Sequence, residues 1–176
     1  MAVSAPAIAA KTKLDFGSLA SKVLVATAVV ALLDGLFAVV VFASILRATT
    51  ATRIFQGIAA AVLGRADALA GGPRTALLGL ALHILVALAW TTVWAFAYSR
   101  SATLRLLVRS TAGAVTAGAL YGVFVHLTMQ LAVLPLTAAG RGPLFSAGSL
   151  LVLLAHVTVV GPPIVLLVRR RPTADS

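Results

Sequence analysis

Four residues hold most of the acid–base and metal-binding chemistry open to this chain of 176 residues: Asp34, His83, His126 and His156. They are its three histidines and one of its four acids, the others being Asp15, Asp67 and Asp175. Imidazole titrates near neutral pH and is a common metal ligand. Three imidazoles with one carboxylate suit zinc, copper, iron or manganese, so a transition-metal site is one reading of the set. A haem held by two of the histidines is a variant of it, since helical bundles hold cofactors between facing side chains. A proton or ion relay is a second reading, because buried Asp/His sets mark such paths in membranes. In the third, each residue only hydrogen-bonds across helices. There is no cysteine, which removes thiolate metal sites, iron–sulfur clusters and cysteine nucleophiles. Neither a P-loop, a nucleophile elbow nor a dinucleotide-binding glycine motif is present, so soluble-type enzyme chemistry has no foothold.

The elements that must position these residues are membrane spans. The chain is 61% hydrophobic and 10% charged, with a mean hydropathy of +1.08, whereas soluble domains average roughly 45–50% apolar and about 25% charged. Four stretches reach the roughly 20 apolar residues a bilayer crossing needs: about 23–46, 76–98, 111–136 and 146–168. The expected fold is an all-α polytopic four-helix bundle, with a tail over 1–22 and a short basic tail over 169–176. The first span, preceded by a long tail, reads as a membrane helix rather than a cleaved signal, whose apolar region is only about 7–15 residues.

Each span contributes one of the four residues. At about 1.5 Å rise per residue they lie roughly 18 Å (Asp34), 10 Å (His83), 15 Å (His126) and 15 Å (His156) below one boundary, a single layer within the uncertainty of the span ends. A charge at mid-bilayer costs about 2.5–3.5 kcal/mol, so Asp34 must be neutral or paired. No Lys or Arg lies at its depth in any span. The histidines are its available partners, with Thr27, Tyr121 and Gln130 as supporting hydrogen-bond groups. All four are expected to face the bundle interior.

Net charge is +10. The basic residues end apolar runs and do not interleave with aromatics, which argues for topology and against nucleic acid. Lys11, Lys13, Lys22, Arg100, Arg105, Arg109, Arg169, Arg170 and Arg171 fall on one side, and Arg47, Arg53, Arg65, Arg74 and Arg141 on the other. The richer side, which carries both termini, is expected to be cytoplasmic. Trp90, Trp94 and Tyr98 read as interfacial aromatics. In the first outer loop, 52–70 reads as one interfacial helix, with Ile54, Phe55, Ile58, Val62 and Leu63 on its apolar face. Gly71-Gly72-Pro73 ends it. Such a helix is an interfacial anchor or a lid over a site.

Small and polar residues recur every fourth position in the third span: Ala114, Gly118, Gly122, His126, Gln130. Gly118 and Gly122 admit close approach of another helix, from this chain, a second copy or a larger membrane complex. A similar stripe, Gly79, His83, Ala87 and Thr91, marks the second span, and Thr27, Ala31, Asp34 and Ala38 share one side of the first. In the fourth span, Gly161-Pro162-Pro163 predicts a kink below His156.

Two stretches, Arg53-Ile54-Phe55-Gln56-Gly57-Ile58-Ala59 and Gly118-Ala119-Leu120-Tyr121-Gly122-Val123, resemble small four-span bacterial inner-membrane proteins of the YagU-like kind. The resemblance covers about 23–171. It implies a bacterial inner-membrane location and a link to acid resistance, and assigns no site residue. Function is thus expected to reside in a buried His/Asp site that could bind a metal or haem or relay protons. The alternative is a structural or assembly subunit whose polar residues fix helix packing.

Overall fold

The computed structural model describes residues 16–140 and 142–169, side chains from residue 19 onward. The fold is all-α. Four stretches are long and apolar enough to cross a membrane: Leu19–Ile45, Gly72–Arg100, Thr111–Leu136 and Ala147–Val168. They comprise α1 (Phe16–Ala38) and its continuation Val39–Ile45, α4 (Gly72–Arg100), α6 (Thr111–Thr128) and its continuation to Leu136, and α7 (Ala147–Ala155) joined through His156–Val160 to α8 (Gly161–Val168). Between the first two spans lie α2 (Ala51–Leu63) and α3 (Arg65–Ala70); α5 (Ala102–Leu107) joins the second and third. Helix α1 starts at Phe16, so the helix reaches seven residues further toward the N-terminus than the expected span start at 23. The remainder of the two tails lies outside the described residues.

The bundle is built for an apolar solvent. Leu24, Leu32, Leu36, Leu77, Leu85, Phe96, Leu120 and Phe124 all point outward, and water would penalise that much exposed apolar surface. The interior is made of smaller residues: Ala26, Val30, Ala114, Ala117, Val125, Val160, Ile164 and Val165, with Trp94, Tyr98 and Tyr121 as its large members. Lipid gives helices no hydrophobic reason to associate, so close contact between small residues has to hold them.

That contact is most intimate between α6 and α8. Gly118 faces the backbone of Gly161 and Pro162, and Gly122 faces the backbone of His156. The neighbour of the Gly118/Gly122 face is therefore the fourth span of the same chain, and a second copy or a larger complex would have to use another surface. Trp94 and Tyr98, read from the sequence as interfacial aromatics, are buried between the helices. The Trp94 ring packs on Tyr121 with centroids 5.0 Å apart, and Trp90 meets Phe124 edge to face at 5.9 Å. Their bulk fills the space that small residues elsewhere leave to backbone contact.

The loop region also departs from the periodicity reading. The expected single helix over 52–70 breaks at Gly64, whose φ of 78° and ψ of 160° lie outside helical space. The buried face of α2 is Gln56, Ala59 and Ala60, while Val62 stays exposed. The reason is again proximity. At Gly79 of α4 the α2 backbone comes so near that an added Cβ would overlap the Phe55 carbonyl. Only small side chains fit such a seam. Gln56 Nε2 then donates to the Gly72 carbonyl at 3.1 Å, and Thr75 Oγ1 donates to the Ala68 carbonyl at 2.6 Å, closing the α3–α4 turn.

At the end of the bundle near Phe16 and Val168, Arg169 is more than a topological charge. Its guanidinium donates to the carbonyls of Val108 (3.1 Å) and Ser110 (2.8 Å) and reaches Thr111 Oγ1 at 3.3 Å. Its own carbonyl accepts from Lys22 Nζ at 3.2 Å. This clasp ties α8 to the α5–α6 connection and to α1. Replacing Arg169 with Met should lower stability by about 1–2 kcal/mol, below the usual range for charged donors because the group is partly exposed. Thermal unfolding in mild detergent measures this. Arg169→Lys should recover only part of the loss, since an ammonium cannot span the same acceptors.

Candidate functional site

Proline dictates the local form of two of the cavity walls described next. In an α-helix Pro162 could not donate to the Thr158 carbonyl, nor Pro135 to that of Leu131. In both spans the helix widens by one residue just before the proline. Gly161 N–H donates to the His156 carbonyl, closing a π-helical turn over His156–Val160, and Leu134 N–H donates to that of Met129, closing one over Met129–Val133. Wide turns of this kind often sit at functional sites. The kink expected at Gly161-Pro162-Pro163 is thus a widened turn followed by a fresh helical start at Gly161.

These turns border a partly open cavity of about 390 Å³. Val30 and Asp34 of α1, His83, Ala87 and Trp90 of α4, Val125 and Met129 of the third span, and His156, Val160 and Ile164 of the fourth form its walls. Gly57, Ile58, Ala61 and Val62 of α2, with Leu134, Thr137 and Ala139, cover one end. That cover is stitched together by the Ala138 N–H, which donates to the Ala61 carbonyl at 3.0 Å. Helix α2 therefore lies over a cavity, the arrangement a lid needs.

The four expected site residues fall into two pairs. His83 Nε2 lies 3.0 Å from the Ala31 carbonyl. A carbonyl can only accept, so Nε2 is the donor and carries the hydrogen. Nδ1 then points toward Asp34 Oδ2 at 3.9 Å, beyond direct hydrogen-bond distance. Side-chain exposure is 13% for His83 and 26% for Asp34, so both are sheltered but reachable from the cavity. Phe55 of α2 packs edge to face on the His83 ring at 6.2 Å.

The second pair is His126 and His156, ring centroids 5.4 Å apart, edge to face. His156 Nδ1 donates to the Val152 carbonyl of its own helix at 2.8 Å. His126 is buried and is not part of the cavity wall. The expected single cluster does not form: among the described residues no three histidine or acid side chains stand close enough to hold one metal ion. A haem gripped by two histidines does not fit either pairing of this kind. The helices bearing His126 and His156 touch at the backbone through Gly122, which leaves no slot for a macrocycle between the rings. Residues that the sequence places at one depth need not converge, because depth says nothing about angle around each helix axis.

The supporting residues also act elsewhere. Tyr121 Oη donates to the Trp90 carbonyl at 2.6 Å, joining α6 to α4. Thr27 Oγ1 and Gln130 Oε1 are buried atoms without a protein partner, and neither residue lines the cavity. The residues that sequence reasoning missed are the apolar walls, notably Trp90, Met129 and the α2 cover. Only the prolines at 135 and 162 hinted at where the walls would widen.

Fold and cavity together define a class: an all-α bundle with four helices fit to cross a membrane, and a partly open cavity bearing one Asp–His pair. Comparison adds no closer relation, as no family model, curated protein or solved structure matches the chain.

Proposed function

We propose that this is a multi-pass membrane protein whose Asp34–His83 pair binds and releases one proton inside a covered cavity. The observation that carries the reading is the fixed orientation of His83. With Nε2–H committed to the Ala31 carbonyl, a neutral ring turns the Nδ1 lone pair toward the Asp34 carboxyl. A carboxylate and a lone pair repel, and one proton between them removes the repulsion. The proton rests on Asp34 as a carboxylic acid or on His83 as an imidazolium beside a carboxylate; either state satisfies the pair. Asp34 has no Lys or Arg at its level to neutralise it, so the proton is the resident counter-charge. A metal or haem is the less favoured occupant, because the histidines do not converge.

The packing alternative applies to the other pair. His156 spends its Nδ1 hydrogen on its own helix, and its backbone abuts Gly122. We assign His126 and His156 chiefly to holding the third and fourth spans together. From the Lys/Arg asymmetry and the residue resemblance, we further propose a bacterial inner-membrane location with cytoplasmic termini, among YagU-like proteins.

Nuclear magnetic resonance of the labelled Asp34 carboxyl and His83 ring in lipid tests the proton site. The two signals should titrate together as one step. Asp34→Asn should change the His83 titration curve, because the group that shares its proton is gone. Two independent steps, or a His83 curve indifferent to Asp34→Asn, would falsify the assignment.

A further inference from the structure

We infer that the cavity is a binding site for a small, largely apolar organic cation, whose positive group takes the place of the proton on the Asp34–His83 pair. The inference rests on the proton site proposed above and names what competes with it. Size is the first argument. About 390 Å³ lies in the range of small-molecule pockets, roughly 300–1,000 Å³, which are mostly apolar with a few polar groups that orient the ligand.

Charge is the second. Among the described residues the cavity wall holds one acid, Asp34, two histidines, His83 and His156, and no Lys or Arg; His156 commits its Nδ1 hydrogen to the Val152 carbonyl of its own helix. An anion would meet Asp34 unscreened. A neutral apolar molecule would leave the Asp–His pair as it is. A cation neutralises the carboxylate, and a buried charge is tolerated when it is paired. Trp90 adds an aromatic wall on which an organic cation is attracted by the ring quadrupole. Val30, Ile58 and Val86 supply apolar surface for the rest of the molecule, and Met129 adds a flexible, polarizable side chain.

The exchange balances. The pair enters with one proton and Asp34 effectively neutralised. As the cation arrives, that proton leaves to solvent, His83 stays neutral with its hydrogen on Nε2, and the carboxylate pairs with the cation. One positive charge enters and one leaves, so the net charge of the cavity is unchanged. Covering by α2 would then separate the occupied cavity from the membrane boundary.

The probe is benzyltrimethylammonium, which has no titratable proton, and the control is its uncharged carbon isostere, in which a quaternary carbon replaces nitrogen. Calorimetry on the full chain in lipid nanodiscs, run in buffers of different ionisation enthalpy, gives affinity and proton release together. The cation should bind at least about tenfold more tightly than the isostere, as expected when a charge finds a sheltered partner, and should release about one proton per molecule bound. Asp34→Asn should erase both the preference and the release. Ala61→Phe, which fills the cavity from α2 and leaves the pair intact, should abolish binding of both compounds. Equal binding of cation and isostere to the natural chain overturns the inference, as does a preference that survives Asp34→Asn. If Asp34→Asn fails to fold, Ala61→Phe decides: cation binding that survives it places the cation elsewhere. If Asp34 and His83 titrate as one step but no cation binds, only this inference falls. If the cation binds without proton release and the two residues titrate separately, the proton site falls with the exchange.

Discussion

Gly161→Ala should prevent the third and fourth spans from seating. An added methyl at residue 161 would overlap the Gly118 carbonyl and press on the Gly122 amide. These are backbone atoms of a helix, which cannot swing aside as a flexible side chain can. Inserting one methyl into a filled core costs about 1–3 kcal/mol, occasionally more, and here both surfaces are rigid. The methyl also forces apart the seam that holds Val125, Val160, Ile164 and Val165 in the core. In lipid no hydrophobic drive compensates, because a separated helix is solvated as well by acyl chains as by its neighbour. The expected result is a drop of at least about 3 kcal/mol in reversible unfolding from mixed micelles. Gly118→Val should act in the same direction. An undiminished stability for Gly161→Ala would mean that the two backbones do not meet there.

Gly79→Val should unseat the cavity cover. The added Cβ would overlap the Phe55 carbonyl and crowd the Ala59 amide, so α2 must lift from α4. The Gln56 bond to the Gly72 carbonyl then breaks, and Phe55 leaves the His83 ring. Because Gly79 is near the start of α4, the span itself need not shift. The effect should be local: faster amide hydrogen exchange and proteolysis in 51–70, with unfolding of the four spans little changed. Gly57→Ala is the matched control. A Cβ at Gly57 meets nothing within 4 Å and alanine is the better helix former, so its exchange should be no faster than that of the natural chain. Equal protection of 51–70 in Gly79→Val would show that α2 does not rest on that glycine.

How much of this could be read from the chain depends on what each feature needs. Span positions follow from local composition alone, and the ends at Leu136 and Val168 agree with the structure. The stops at Gly71-Gly72-Pro73 and the disturbance at Gly161-Pro162-Pro163 were legible because glycine and proline act on their own turn of backbone. Which face of α2 meets α4 was not legible, because hydrophobic periodicity marks the apolar side of a helix and not the side that packs by backbone contact. At a seam closed by backbone contact, Gln56, Ala59 and Ala60 are buried and Val62 is left outside.

Local composition marks four segments long and apolar enough to cross a membrane and places one of Asp34, His83, His126 and His156 in each. Those are sums over neighbouring residues. How the helices rotate about their axes depends on contacts between distant parts of the chain. Rotation places His83 against Asp34 and turns His126 toward His156, and it is set by which small residues meet across the seams: Gly79 under α2, Gly118 and Gly122 against α8. The division of four residues into an Asp34–His83 pair and a His126–His156 pair follows from those contacts, because a side chain's azimuth depends on its helix's neighbours and not on its own run of sequence.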